Sequence, residues 1–260
     1  MLFFEKIKLY LYIKKLKSKR KKREQNIIND DYEKGIWNQE YKNVDFESIT
    51  GMYKKDPNSS TLFVKDGKIF KGKLSEYTKK FEAQIVNVLS EYKEDNFVEF
   101  GCGLGANLFL LHKNKFKNLE GYDISKNAIS LAKKYSGEKK YNIKFDTLNL
   151  TEPLPEKLIE NKIVFTNTCL EQLKHYMSTV LQNILDGKPK LVINFEVDYN
   201  SSDSLVKEYF DAVDYQNNLV SELEKLEMEK KIEIISIKPF SLSLSPVNRL
   251  SSIIWKPSNQ

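Results

Sequence analysis

Cysteine is nearly absent: Cys102 and Cys169 are the only two among 260 residues. Each sits in an apolar or glycine-rich run, and no spacing pairs them. A disulfide framework and a zinc site are excluded on that ground, and a reducing cytoplasm is the compartment expected. Long apolar runs are also missing. No stretch of about 18 uncharged apolar residues occurs, so no segment is expected to span a bilayer. Internal repeats and low-complexity linkers are absent too. The first residues are not a secretory signal, because the basic block follows the apolar part and no small-residue cleavage site comes after it.

Basic charge is plentiful, but in one place. The chain has 42 Lys/Arg against 36 Asp/Glu, a net of +6. Residues 1–24 hold 10 basic and 2 acidic residues, a net of +8, which leaves 32 against 34, a net of −2, for the rest. A body of slightly acidic balance argues against nucleic acid as the partner of the whole fold. The tail, MLFFEKIKLYLYIKKLKSKRKKRE, reads as an amphipathic helix with Phe4, Ile7 and Leu11 on one face. Three uses stay open for it: packing on a neighbouring element or subunit, contact with an anionic membrane surface, or contact with nucleic acid.

Three segments follow from composition and periodicity. Residues 1–30 form the basic helix. Residues 31–75 form a cap that contains a hairpin over 61–71, turned by Asp66-Gly67 between β-rich runs. Residues 76–260 form the main domain. A helix with Tyr77, Phe81, Ile85 and Leu89 on one face opens it, and short apolar strands then alternate with helices. The strands are expected at 97–100, 119–123, 142–146, 162–166 and 189–196, with a closing antiparallel hairpin of 231–239 and 249–257. Helical residues are expected from Cys169 through Leu185 and in an insertion over 199–230. The pattern predicts an α/β fold with a Rossmann-like, seven-stranded mixed sheet, mainly parallel, and helices on both faces.

The most specific local pattern is VEFGCGLGAN (98–107). A buried strand runs into Gly101, Gly103 and Gly105, and a helix begins at once. Glycines allow a tight turn and close approach of backbone to a ligand. Gly101, Gly103 and Ala106 also fit a dinucleotide fingerprint, with Asp123 22 residues after Gly101. Glu99 argues otherwise: a carboxylate at the strand end suits an ammonium and a sulfonium and repels a pyrophosphate. The closing strand hairpin, in place of a second nucleotide-binding half, points the same way. S-Adenosylmethionine is therefore the expected ligand, with S-adenosylhomocysteine as product.

FVEFGCGLGAN (97–107), LEGYDIS (119–125), IKFDTLNLTEPLP (143–155) and IVFTNTCLEQL (163–173) together resemble the successive motifs of class I S-adenosylmethionine-dependent methyltransferases. The resemblance covers about residues 76–257. It implies that Glu99, Gly101, Cys102, Gly103, Gly105 and Asn107 hold the methionine end. Asp123 would hold the ribose and Ile124 would lie against the adenine. Asn149 stands where the family commonly has an acidic residue near the adenine amino group. Asn167 and Thr168 would lie beside the sulfonium.

No Asn/Asp-Pro-Pro-aromatic run follows the fourth strand, which argues against methylation of a nucleic-acid base amine. No spaced carboxylates suggest a metal, so metal-independent transfer is expected. The order of W-x-x-x-Y (Trp37, Tyr41, also expected at the donor), LEQL (170–173), NFE (194–196), EYF and DYQNNL (208–219) and NRLSSIIWKP resembles methyltransferase-domain proteins of bacterial capsule and lipopolysaccharide clusters. That resemblance implies O-methylation of a sugar hydroxyl, on a nucleotide-activated heptose or deoxyhexose, in the cytoplasm or at the inner membrane face. Gln172, Tyr199, Tyr209, Asp214 and Tyr215 supply amides, carboxylates and aromatic walls for such an acceptor. The candidate bases are His175, Glu196 and Glu171. Histidine's ordinary titration range lies nearest neutrality, and on one continuous helix His175 would share a face with Glu171. An RNA or protein acceptor guided by the basic tail, and a non-catalytic partner docked at a membrane, are the competing readings. Oligomeric state is not set by any of these residues.

Overall fold

The computed structural model describes residues 2–18, 22, 24, 27, 30, 44–46, 56 and 58–258. Trp37 and Tyr41, and the side chain of Phe4, lie outside the described residues.

The main sheet has seven strands: β3 (Phe97–Phe100), β4 (Leu119–Asp123), β5 (Ile143–Thr147), β6 (Ile163–Asn167), β7 (Leu191–Val197), β8 (Ile232–Pro239) and β10 (Leu250–Pro257). Their spatial order is β5-β4-β3-β6-β7-β10-β8. The first five are parallel, and β10 runs antiparallel between β7 and β8. This is the expected Rossmann-like mixed sheet. Every residue of β3 and β7 is buried, as strands covered on both faces require. Successive side chains alternate between two cores. Phe97, Phe165, Ile193 and Phe195 join one, under α2 (Leu74–Ser90), α3 (Ala106–Lys113) and α4 (Lys126–Lys139). Val98, Phe100, Val164 and Val192 join the other, under α5 (Met177–Asp186) and α7 (Leu219–Met228).

The hairpin of β1 (Ser60–Lys65) and β2 (Lys68–Lys73) turns at Asp66 and Gly67, with φ of 48° and 76°. Two positive φ values make the turn that follows strand twist. A strand absent from the sequence reading, β9 (Leu242–Ser243), leaves the β8–β10 connection to pair with β1. Gln84 of α2 anchors it through both the N–H and C=O of Leu242.

Two expectations need correction, and the expected helical insertion is resolved further. The helix expected from Cys169 is two separate 3₁₀ turns, Leu170–Gln172 and Lys174–Tyr176, before α5. Glu171 and His175 therefore do not share a helical face. The insertion over 199–230 is two helices, α6 (Ser204–Val213) and α7. Asp214 ends α6 in the left-handed conformation, and the Gln216 side-chain oxygen accepts the N–H groups of Asn218 and Leu219 to start α7. Finally, α1 (Leu2–Lys17) buries Leu9, Ile13 and Leu16 against Leu205, Tyr209, Ala212 and Val247, while Ile7 and Leu11 are 39% and 58% exposed. Apolar residues occur on more than one face of α1, so the stripe is selected by its partner α6.

Candidate functional site

The carboxyl ends of β3, β4, β6 and β7 converge on one crevice, the place where open α/β sheets bind ligands. Gly101, Gly103 and Gly105 all have positive φ, at 69°, 52° and 86°. A Cβ on Gly101 would overlap the Cys169 sulfur, and one on Gly105 would lie 2.8 Å from the Phe145 ring. The loop therefore needs glycine at both positions. Asp123 holds the loop open: its Oδ2 accepts the Gly103 N–H and its Oδ1 the Ser125 N–H, both at 2.8 Å. A carboxylate has lone pairs beyond those two bonds.

Glu99 is wholly buried, and burial raises its carboxyl well above the ordinary range. Its Oε1 accepts from Asn107 at 2.6 Å, and Asn107 in turn accepts from Asn167 at 3.2 Å. Its buried Oε2 has no hydrogen-bond partner among the described residues. An unmatched carboxylate oxygen in a desolvated site fits a cationic ligand, because only a charged donor offsets the cost of ionising it there. Cys102 is buried and Cys169 half-buried, and desolvation pushes both thiols well up.

Glu196 organises the other wall. Its Oε1 accepts from the Thr166 hydroxyl at 2.9 Å and from the N–H groups of Cys169 and Leu170 at 2.9 and 3.0 Å. These bonds start the first 3₁₀ turn and set the loop against Gly101. Behind Glu196, the Asn194 amide donates to the Thr166 oxygen at 3.1 Å and accepts from the Trp255 indole at 2.9 Å. A buried polar line thus crosses β10, β7 and β6 to the loop. Thr166 was not singled out by sequence, and Asn194 and Trp255 entered only within the NFE and NRLSSIIWKP segments. Asn194 and Glu196, two polar residues two apart in an otherwise apolar strand, were the available signal.

His175 and Asp214 meet although 39 residues apart: Nε2 lies 2.8 Å from Asp214 Oδ2. Asp214 is 1% exposed and also takes Lys174 at 3.4 Å. Glu171 Oε1 accepts from Gln172 at 3.1 Å, and its Oε2 accepts from Asn248 at 3.2 Å. The remaining amide oxygens of Gln172 and Asn248 are buried without a partner among the described residues. Asn248, missed by sequence, opens the NRLSSIIWKP segment noted there.

The other candidates are spread more widely. Ile124 is half-buried beside Asp123. Asn149 is engaged locally, accepting from the Thr151 N–H and hydroxyl and donating to Glu152. Tyr199 donates to Asp211. Tyr209 and Tyr215 meet edge to face, with centroids 6.1 Å apart, and pack on the core.

A family model described as a methyltransferase domain matches residues 91–233, more than half of the 260 residues. The chain belongs to this family. The methyltransferase also resembles solved structures. Magnesium protoporphyrin IX methyltransferase from Synechocystis PCC 6803, with bound S-adenosylhomocysteine, has a TM-score of 0.54 at 14% identity, covering 70% of this chain and 83% of that one. Geranyl diphosphate C-methyltransferase from Streptomyces coelicolor A3(2) has a TM-score of 0.53 at 10% identity, covering 70% and 81%. A protein of Pyrococcus horikoshii OT3 has a TM-score of 0.53 at 14% identity, covering 70% and 92%. At these identities the likeness is one of fold. No curated protein matches the chain.

Proposed function

We propose that this methyltransferase places a methyl group on a sugar hydroxyl, with a nucleotide-activated heptose or deoxyhexose of capsule or lipopolysaccharide assembly as the acceptor. The methyl donor is S-adenosylmethionine. Glu99 would hold its ammonium end, the glycine loop its methionine backbone and Asp123 its ribose. When bound, it supplies a methyl group already activated on a sulfonium. The protein's remaining task is alignment, worth roughly 7–11 kcal/mol of barrier, and acceptance of the hydroxyl proton.

The observation that carries the sugar reading is the polar cluster in the turn after Cys169. Glu171, Gln172 and Asn248 present carboxylate and amide oxygens, two of them buried and unmatched. Such groups hold hydroxyls and gain little from an apolar acceptor. Among the three candidate bases, the arrangement favours His175. With the proton on Nε2, 2.8 Å from Asp214 Oδ2, the carboxylate would hold that tautomer and leave Nδ1 to accept the hydroxyl proton. Glu196 is occupied with the loop and is read as a positioning residue, and Glu171 as an acceptor ligand.

The test is to incubate the protein with S-adenosylmethionine and a panel of nucleotide-activated sugars, without added metal, and to seek a one-methyl mass gain. His175→Ala and Asp214→Asn are expected to lower kcat by about 10²–10⁴-fold while donor affinity stays. Asp123→Ala is expected to abolish donor binding. Methylation of RNA or protein with every sugar left unmodified would overturn the reading.

The tail carries a second part of the proposal. Among the described residues of α1, Ile7, Tyr10, Leu11 and Tyr12 are exposed beside Lys8, Lys14 and Lys15. No described helix is long and apolar enough to cross a membrane. An apolar strip flanked by lysines suits the anionic inner face of a membrane. Co-sedimentation with phosphatidylglycerol vesicles should be lost in Leu11→Ser/Lys14→Glu/Lys15→Glu. Equal sedimentation of both proteins would refute it.

A further inference from the structure

Beside the crevice lies a second cleft of about 480 Å³, between the β1–β2 turn and the ends of β7 and β10. Its size falls within the roughly 300–1,000 Å³ of small-molecule sites. The two spaces are neighbours in the strict sense of strand pairing. Ser251, which lines the cleft, is the cross-strand partner of Glu196, which anchors the donor-side loop. Directly opposed residues of an antiparallel pair project from the same face. Asn248 and Arg249 divide the two spaces: Asn248 donates to Glu171, and Arg249 pairs with Asp203 at 2.7 Å on the cleft side.

The cleft has a definite chemistry. Asp66, Asp198 and Asp203 face it with one cation, Arg249, which is already paired, so its balance is net −2. A phosphate or nucleotide would be repelled. As whole residues Ser243 and Ser251 are 2% and 5% exposed, and no hydrogen bond joins their hydroxyls to a described residue. Asp66, at the tip of the hairpin, adds a carboxylate, and Phe240, Val64 and Leu250 supply apolar surface. Hydroxyl and carboxylate groups beside an aromatic ring are what a neutral pyranose requires: partners for its hydroxyls and a flat surface for its C–H face.

We propose that this cleft is a second carbohydrate subsite, which binds a neutral sugar residue joined to the one that is methylated. This rests on the sugar-acceptor reading and deepens it. Acceptors two sugars long are then preferred over single sugars, and any phosphate the acceptor carries lies on the side away from the cleft.

The probe is a panel of neutral mono- and disaccharides of hexose, deoxyhexose and heptose, titrated into the full chain with S-adenosylhomocysteine and followed by saturation-transfer NMR. At least one disaccharide should bind at least tenfold more tightly than either constituent monosaccharide. Asp66→Asn should weaken that disaccharide by about tenfold, as should Ser243→Ala/Ser251→Ala. Asp66→Asn is nearly isosteric, and asparagine tolerates the positive φ of this turn, so it guards against a folding artefact. Donor affinity, measured in parallel, should stay within twofold. Disaccharide binding that both variants leave intact would overturn the proposal. So would the absence of binding by every neutral saccharide, or tighter binding of uridine diphosphate that Asp66→Asn alters. Methylation of a single sugar, with no preference for longer acceptors, would sink the cleft alone and leave the sugar reading standing.

Discussion

Replacing Glu196 separates its two roles, as a buried charge and as an anchor for the donor-side loop. Burial pushes its carboxyl from 4.5 up to about 7. At about 1.36 kcal/mol per pH unit, ionising it costs the folded state roughly 3 kcal/mol. Because the folded-state value is raised, the protonated form favours folding fully below pH 4.5, and that advantage disappears as pH rises to about 7. Glu196→Gln keeps an oxygen for Thr166, Cys169 and Leu170 and carries no charge. It should flatten the stability–pH curve across this window and be at least as stable as the parent at pH 8. Glu196→Ala leaves three buried donors unmatched, at about 1–3 kcal/mol each. It should lose at least 3 kcal/mol at every pH, a fall in Tm of about 6–12 °C for a chain of this size. Thermal unfolding followed by circular dichroism at half-unit steps from pH 5 to 8 decides. If the glutamine variant loses as much as the alanine variant, or keeps the parent's slope, the anchoring account is wrong.

Glu99→Gln should weaken S-adenosylmethionine at least tenfold. In the parent, donor binding should release a proton, because a cationic ligand draws the raised Glu99 carboxyl into its ionised form. Calorimetry in buffers of different ionisation enthalpy should see that proton in the parent and lose it in the variant. Gly101→Ala should destabilise the fold by about 2 kcal/mol or more through its positive φ and its overlap with the Cys169 sulfur. Cys169→Ala should recover part of that loss in a denaturant double-mutant cycle. Trp255→Phe removes the indole donor to Asn194 and should cost about 1–3 kcal/mol by urea unfolding.

The fold was legible where the pattern is local. Strands such as Phe97–Phe100 and Leu191–Val197 are short apolar runs, and the glycine loop announces itself within ten residues. The site was legible only in its donor half. The contact of His175 with Asp214 spans 39 residues, Glu171 with Asn248 spans 77, and Trp255 with Asn194 spans 61. A tryptophan in a terminal strand reads as core, and only the folded sheet shows its indole serving an amide two strands from the loop. The false helix over 169–176 has the same origin: its residues are ordinary helix formers, but in the fold the backbone leaves the helical region at Leu173 (φ −105°, ψ 28°) and at Tyr176 (φ −121°, ψ 6°).

The place of β10 in the sheet bears on how the molecule is made. During synthesis β7 emerges with an open edge, and β8 emerges with no strand beside it until residues 250–257 slide between them. A nascent chain halted near residue 240 exposes two unpaired strand edges, the usual template for association with other chains. Because Trp255 also completes the polar line behind Glu196, the loop facing the donor is finished in the same event that closes the sheet. Ribosome-bound chains of increasing length should therefore gain protease resistance and donor binding together, once the last strand has cleared the exit tunnel.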